Sequence, residues 1–324
     1  MINEESTIQC EAQVPDSLAG SRLDQAAAEL FHEYSRSRLK QWIEDGSLQV
    51  DGQQRKPKER LLGGELMTLA AELEPAGEWQ AQDIPLDIVY EDDTLLVINK
   101  PANLVVHPAA GNPDGTVLNA LLHHCPELES VPRAGIVHRL DKDTTGLMVV
   151  AKTLTAHHDL VKQLQARTVS REYEAVVMGT MTGGGVVEAA IGRHPRSRTK
   201  MAVVEFGGKE AITHYRLIKR FRDYTHVRLA LETGRTHQIR VHMAHIAHPL
   251  VGDATYAGRL KLPRNATPEL VELLRHGFKR QALHAASLAL IHPDTGEEME
   301  WDAPLPEDFQ NLLSVLKRNE TADT

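Results

Sequence analysis

Between Gly135 and Thr153 the chain reads GIVHRLDKDTTGLMVVAKT, one charged loop enclosed by two aliphatic runs. The runs, Ala134 to Val137 and Leu147 to Ala151, are short and rich in β-branched residues, so both are predicted to be buried strands. Asp141 then stands on a loop at the mouth of a core, crowded by His138, Arg139, Lys142 and Asp143. A sheet that holds a loop while leaving its tip accessible is where chains place reactive groups. Taken alone, the same residues also describe a solvated turn with an Asx-type hydrogen bond. The choice rests on the rest of the chain.

Further runs of the same kind follow a change of pattern near residue 85. Strands are predicted at Ile88 to Tyr90, Leu95 to Ile98, Tyr173 to Met178, Ile212 to Leu217, His226 to Glu232 and Ala285 to Ile291. Helical spacing marks Thr116 to His124, Ala156 to Gln165 and Thr267 to His276. Grouped strands with few intervening helices favour an α+β domain with a mixed, largely antiparallel sheet over a doubly wound parallel one. Upstream lies a smaller unit. Asp16 or Ser17 can cap a helix running to Phe31, Ser35 a second from Arg36 to Glu44; Gly46 ends the latter. Strands are expected at Leu48 to Val50 and Glu65 to Leu69, with Asp51-Gly52 as a tight turn. The expected division is therefore 16–74 for the small domain, 75–84 for a linker holding Pro75 and Gly77, 85–318 for the large domain, and 319–324 for a disordered tail.

Two cysteines, Cys10 and Cys125, supply neither a disulfide framework nor a zinc spacing. The start, MINEESTIQC, lacks a basic segment and an apolar stretch, and no apolar run approaches eighteen residues, so a cytoplasmic protein without a membrane span is expected. Net charge is −9, yet its distribution is uneven. From Arg193 to Arg280 there are 18 Lys and Arg against 7 Asp and Glu. A basic segment on an acidic protein points to a polyanion-binding face. Its densest parts are GRHPRSRTK, with Arg193, Arg196, Arg198 and Lys200, and YRLIKRFRDY from Tyr215.

The small unit, SRLDQ…SRSRLKQWIEDGSLQVDGQ, has the order of helix, basic helix, glycine turn and Val-Asp-Gly strand. It resembles the S4-like RNA-binding module, with Arg36, Arg38 and Lys40 as RNA-facing candidates. Three motifs of the large domain, VINKPANLVVHP, HRLDKDTTGL and LALETGRTHQIRVHMAHIAHP, resemble the RluA-type family of pseudouridine synthases. They are long and stand in the family's order, and the likeness runs from Ser21 to Pro304. Thr145 stands where the family often has Ser, and Asn103 where Gly is common.

The resemblance implies the pseudouridine synthase fold and isomerisation of uridine within RNA. The base leaves its ribose nitrogen link, rotates and rejoins through carbon 5, a change that calls for no redox partner, group donor, metal or other cofactor. It places the catalytic acid at Asp141, its arginine partner at Arg240, and a base-facing tyrosine at Tyr173. That partner would hold the acid by a charge-assisted hydrogen bond. Arg235, five residues earlier, would point elsewhere on a helix and meet phosphate. Substrate contacts are expected from Lys100, His138, Arg139, Thr145, Arg235 and Leu283. Tyr173 and Leu283 fit a plain core role equally well on periodicity alone. With the S4-like front end, the resemblance suggests large-subunit (23S) ribosomal RNA, at the stem-loop facing the small subunit. The partner is then that RNA, free or in the assembling large subunit, met by a monomer. Two rival readings remain at this level: a non-catalytic ribosome assembly factor on the same fold, and a metal-dependent hydrolase using His237, His242, His245 and His248. The first would need none of Asp141, Tyr173 and Arg240; the second lacks a nearby acid pair and is less apt than structural histidines.

Overall fold

A computed structural model describes residues 7–31, 34, 36–72, 79–109, 111–197 and 199–321. The chain divides into two compact units, Met1–Glu78 and Trp79–Thr324, each with its own core.

In the first unit, β1 (Thr7–Gln13) precedes helices α1 (Leu23–Leu30) and α2 (Arg36–Asp45), then β2 (Leu48–Val50) and β3 (Leu66–Glu72). The antiparallel sheet runs β1-β3-β2. Leu23, Ala26, Ala27, Leu39, Trp42 and Ile43 put both apolar stripes against it, as their helical spacing predicts. Two expectations are corrected. The unit begins with β1, ahead of residue 16, because this alternating strand covers the β3 edge. The first helix is broken: Asp16–Leu18 forms one 3₁₀ turn, and Gly20 at φ +81° separates it from α1.

The second unit is built on β4 (Ile88–Glu91), β5 (Leu95–Lys100), α3 (Val117–His124), β6 (Thr145–Ala151), α4 (Leu154–Ala166), β7 (Ser170–Met178), β8 (Gly185–Glu188), β9 (Ile191–Arg193), β10 (Met201–Val203), β11 (Ile212–Arg220), β12 (Tyr224–Leu231), α5 (Gln238–His245), α6 (Pro268–Glu272), β13 (Leu283–Ile291), β14 (Glu298–Asp302) and α7 (Glu307–Thr321). The main sheet runs β4-β5-β6-β13-β7-β12-β11-β8, with β14 paired to β13. Every pairing is antiparallel except β6 with β13, so the sheet is mixed and largely antiparallel. The parallel contact requires a glycine. Gly146 sits at φ +110°, and a Cβ there would meet the Ala285 carbonyl oxygen at 2.2 Å.

The strand predicted at Ala134 to Val137 does not form. Pro132–Gly135 is a tight turn with Arg133 and Ala134 at positive φ, and Ile136 makes only an isolated bridge to Val150. Pro132 has no N–H for a ladder, and Gly135 passes so close to the Ala151 carbonyl that a Cβ would stand 1.9 Å from it. Side chains Ile136, Leu140, Met148, Val150, Tyr173 and Leu229 nevertheless share one core. Trp79, Ile84 and Leu86 pack on that same core, so residues 79–84 of the expected linker belong to the second unit; 73–78 lie outside the described residues. The tail expected from 319 is also shortened. Asn319 is buried in α7, where it accepts the Thr267 N–H at 2.8 Å, and only 322–324 lie outside the described residues. Among the described residues no helix is long and apolar enough to cross a membrane.

Candidate active site

Asp141 opens a turn in which the Thr144 N–H donates to its carbonyl at 3.0 Å, and three buried side chains hold that turn from behind. Lys100, 1% exposed, donates its three N–H groups to the carbonyls of Pro101, Leu104 and Lys142 at 2.7–2.9 Å. Arg280 reaches the Asp143 carbonyl at 3.3 Å while paired with Asp308. Gln281 donates to the Thr144 hydroxyl at 3.1 Å. Burial lowers the Lys100 pKa to about 8, since a charge enclosed among carbonyls loses its hydration.

The carboxylate of Asp141 accepts from Arg240 Nη1 at 2.8 Å. Arg240 lies in α5 and also donates Nε and Nη2 to Asp253 at 2.7 and 3.0 Å. Two-pronged binding therefore goes to Asp253, and Asp141 receives a single bond. Asp253, its side chain 0% exposed, further accepts the N–H groups of Thr255 and Tyr256. Burial works against the charge on Arg240, but both carboxylates overcome it and raise its pKa. His237 caps α5 in a left-handed conformation, φ +58°. Its Nε2 lies 3.8 Å from Asp141 Oδ1, and its Nδ1 pairs with the Tyr256 hydroxyl at 2.7 Å. Burial lowers its pKa, so the ring is neutral at neutral pH.

The preceding turn explains its own sequence. Gln238 accepts from the Thr233 hydroxyl and the Arg235 N–H and donates to the Ile212 carbonyl and Thr213 hydroxyl. Arg235 precedes α5, so helical spacing does not relate it to Arg240; its Nε binds the Glu210 carbonyl.

Asp141 and Arg240 lie in an open cleft of about 760 Å³ also lined by His138, Arg139, Tyr173, Arg235 and Leu283. Arg133, Arg167 and Arg171 join them against the acids Asp141 and Glu232, giving a basic hollow on an acidic chain. Tyr173 faces it from β7, with its hydroxyl unpartnered among the described residues; burial raises its pKa. His138 Nε2 accepts the Val149 N–H at 3.0 Å, and burial, with Arg171 nearby, pushes its pKa down to about 3. Two expected substrate contacts stand elsewhere. Lys100 is enclosed behind the loop, where it braces backbone carbonyls, and Thr145 is buried with its hydroxyl on the side chain of His284 in β13 at 2.8 Å; neither lines the cleft.

The RNA-facing candidates are dispersed. Lys40 is exposed in α2; the side chains of Arg36 and Arg38, and all of Arg198, lie outside the described residues. Arg193 and Arg196 are exposed on the β9–β10 hairpin, but Lys200 donates to the Thr255 carbonyl at 2.9 Å and braces the hairpin. The histidines do not converge: His242 bonds Thr213 and the Ala189 carbonyl, and His248 the Met178 carbonyl. Asp253, Gln238, Tyr256, Arg280 and Gln281 had no signal in spacing or periodicity; each is recognisable only by what it touches.

A chain with a separate small α/β unit and a cleft in which arginines outnumber the acids Asp141 and Glu232 fits an enzyme that acts on RNA. Comparison with known proteins agrees. Residues 94–245 match the RNA pseudouridylate synthase family and 21–66 the S4 domain. The chain is 62% identical to the ribosomal large subunit pseudouridine synthase D of Pseudomonas aeruginosa, over 97% of this chain and 98% of that one. It is 60% identical to the protein of that name from Yersinia pestis, over 96% and 95%. Among solved structures, human RNA pseudouridylate synthase domain containing 4 is similar at 28% identity and TM-score 0.58, covering 71% of this chain and 93% of that one. The chain belongs to the RluA-type RNA pseudouridine synthases.

Proposed function

We propose that this synthase isomerises uridine in large-subunit ribosomal RNA, at the stem-loop that faces the small subunit, with Asp141 as the reacting carboxylate. The names of its relatives support the RNA class. The observation that carries the chemistry is the 2.8 Å Arg240–Asp141 contact inside an arginine-lined cleft.

The reaction breaks the C1′–N1 bond, turns the base and forms C1′–C5, while a proton leaves C5 and N1 gains one. Composition is unchanged, so no redox partner, donor or metal is consumed. Asp141 can attack the sugar, attack the base or take a proton in a glycal route. In each, a fixed carboxylate is needed. Arg240, committed to Asp253 through two bonds, cannot follow Asp141 if it swings, and so sets its direction. The target nucleotide must leave its stack to reach this depth, and Tyr173 offers it a ring face. Ribosomal RNA, free or in the assembling subunit, would be met in the cytoplasm.

Pseudouridine mapping of ribosomal RNA from a strain lacking the gene, restored with wild-type or Asp141→Asn protein, tests this reading. The pseudouridines of that stem-loop should vanish, return with wild type and stay absent with the variant. An unchanged map in the deletion strain would overturn it.

A further inference from the structure

Arg171 is 8% exposed and lines the cleft from β7, yet among the described residues no carboxylate pairs with it and no acceptor meets any of its N–H groups. Its Nε is fully enclosed without a partner. Arg240 and Arg280 are as deeply buried, and each is gripped by a carboxylate through two bonds. A guanidinium enclosed without such a partner is costly. The sequence also makes room for it. A Cβ on Gly234 would stand 2.7 Å from Arg171 Nη1, and Gly234 has no left-handed φ to require glycine. A larger residue at 234 would push the guanidinium from its present position.

We propose that Arg171 is the seat of an RNA backbone phosphate adjoining the target nucleotide, an assignment that rests on the reading of Tyr173 as the residue facing the base. Residues 171 and 173 point to the same side of β7, about 7 Å apart along the strand, so the guanidinium stands within the span of one nucleotide from the tyrosine. A phosphate supplies both what the site lacks, a negative charge, and the paired oxygens that suit a guanidinium fork. A uracil carbonyl would accept a hydrogen bond and leave the charge uncompensated.

The test is a cycle between Arg171→Gln in the full chain and a neutral methylphosphonate at each phosphate flanking the mapped uridine of a ribosomal RNA fragment. Arg171→Gln should weaken half-saturation by about 10- to 100-fold, change the single-turnover rate at saturation much less, and lower the melting temperature little, because the guanidinium has no hydrogen bond or ion pair to lose among the described residues. Arg171→Lys should recover part of the affinity. One methylphosphonate should weaken wild type to a similar degree and leave Arg171→Gln unaffected. Equal weakening of both proteins at both phosphates, coupling to a thiocarbonyl uracil instead, or a lower melting temperature with unchanged affinity would each overturn the assignment. Wild-type protein that leaves the fragment unmodified would overturn the substrate reading, a result distinct from normal turnover without Arg171–phosphate coupling.

Discussion

Arg240 binds Asp253 through two N–H groups and Asp141 through one, so the arginine beside the accessible acid is held by a second acid that no solvent reaches. Asp253 is itself fixed by the N–H groups of Thr255 and Tyr256. Direction passes from a backbone turn to Asp253, to Arg240, to Asp141. The two acids should therefore respond differently to the same substitution.

Asp141→Asn removes a charge at the cleft surface with little change of shape. Pseudouridine formation should fall by roughly a thousandfold or more, while stability stays within about 1 kcal/mol. Single-turnover assays and denaturant melts of the purified variant measure both, and near wild-type turnover would exclude Asp141 as the reacting group.

Asp253→Asn leaves a buried guanidinium short of its main counter-charge. A loss of about 3 kcal/mol is expected together with reduced turnover. The distinguishing sign is the melt: Asp253→Asn should unfold earlier than Asp141→Asn, and equal melting of the two would contradict the order of support.

Lys100 has a folded pKa of about 8 against an ordinary 10.5. Between those values the unfolded chain binds the extra proton and the folded chain does not, so this group's contribution raises stability as pH climbs from 8 to 10.5. Function moves the other way. A neutral amine keeps only two N–H groups for three carbonyls, so the Asp141 turn loosens and turnover should decline above pH 8. Lys100→Met should abolish that decline and lower stability by about 2–4 kcal/mol, through unsatisfied carbonyls. A variant with the wild-type alkaline limb would show that another group titrates.

Tyr173→Phe should retain most of the affinity for the modified RNA, whereas Tyr173→Ala should lose roughly 1–3 kcal/mol of stacking. Ala also leaves a cavity in the core that holds Leu229 and Leu283, so binding must be measured on protein shown to be folded. Small and equal effects of both changes on RNA binding and turnover would reduce Tyr173 to packing.

Removing one exposed charge, Arg196→Ala, should lower the log–log salt slope of RNA binding by about one contact. Lys200→Ala should change the slope less and loosen the hairpin more, since its ammonium already serves the Thr255 carbonyl. Equal slope changes would mean that Lys200 leaves that carbonyl when RNA binds.

Strand and helix positions were legible where an apolar run or a helical period was unbroken, as in Leu147 to Ala151 or in Leu39, Trp42 and Ile43. Reading failed at Ala134 to Val137, where four apolar residues imitate a strand but a left-handed turn pressed on β6 prevails. It also failed at β1, β8, β9, β10, β14 and α7, whose short or mixed patterns become regular only against their partners.

Asp141 and Arg240 were legible as a pair because motif likeness records chemistry along the chain. Their union across 99 residues, the support of Arg240 by Asp253, and the retreat of Lys100 and Thr145 behind the loop were decided by tertiary structure. Local propensity and hydrophobic period depend on neighbours a few positions away, and those the sequence by itself determined. Which buried charge meets which carboxylate depends on the fold that brings distant segments together, because desolvation makes an unpaired charge costly only once the chain has closed around it.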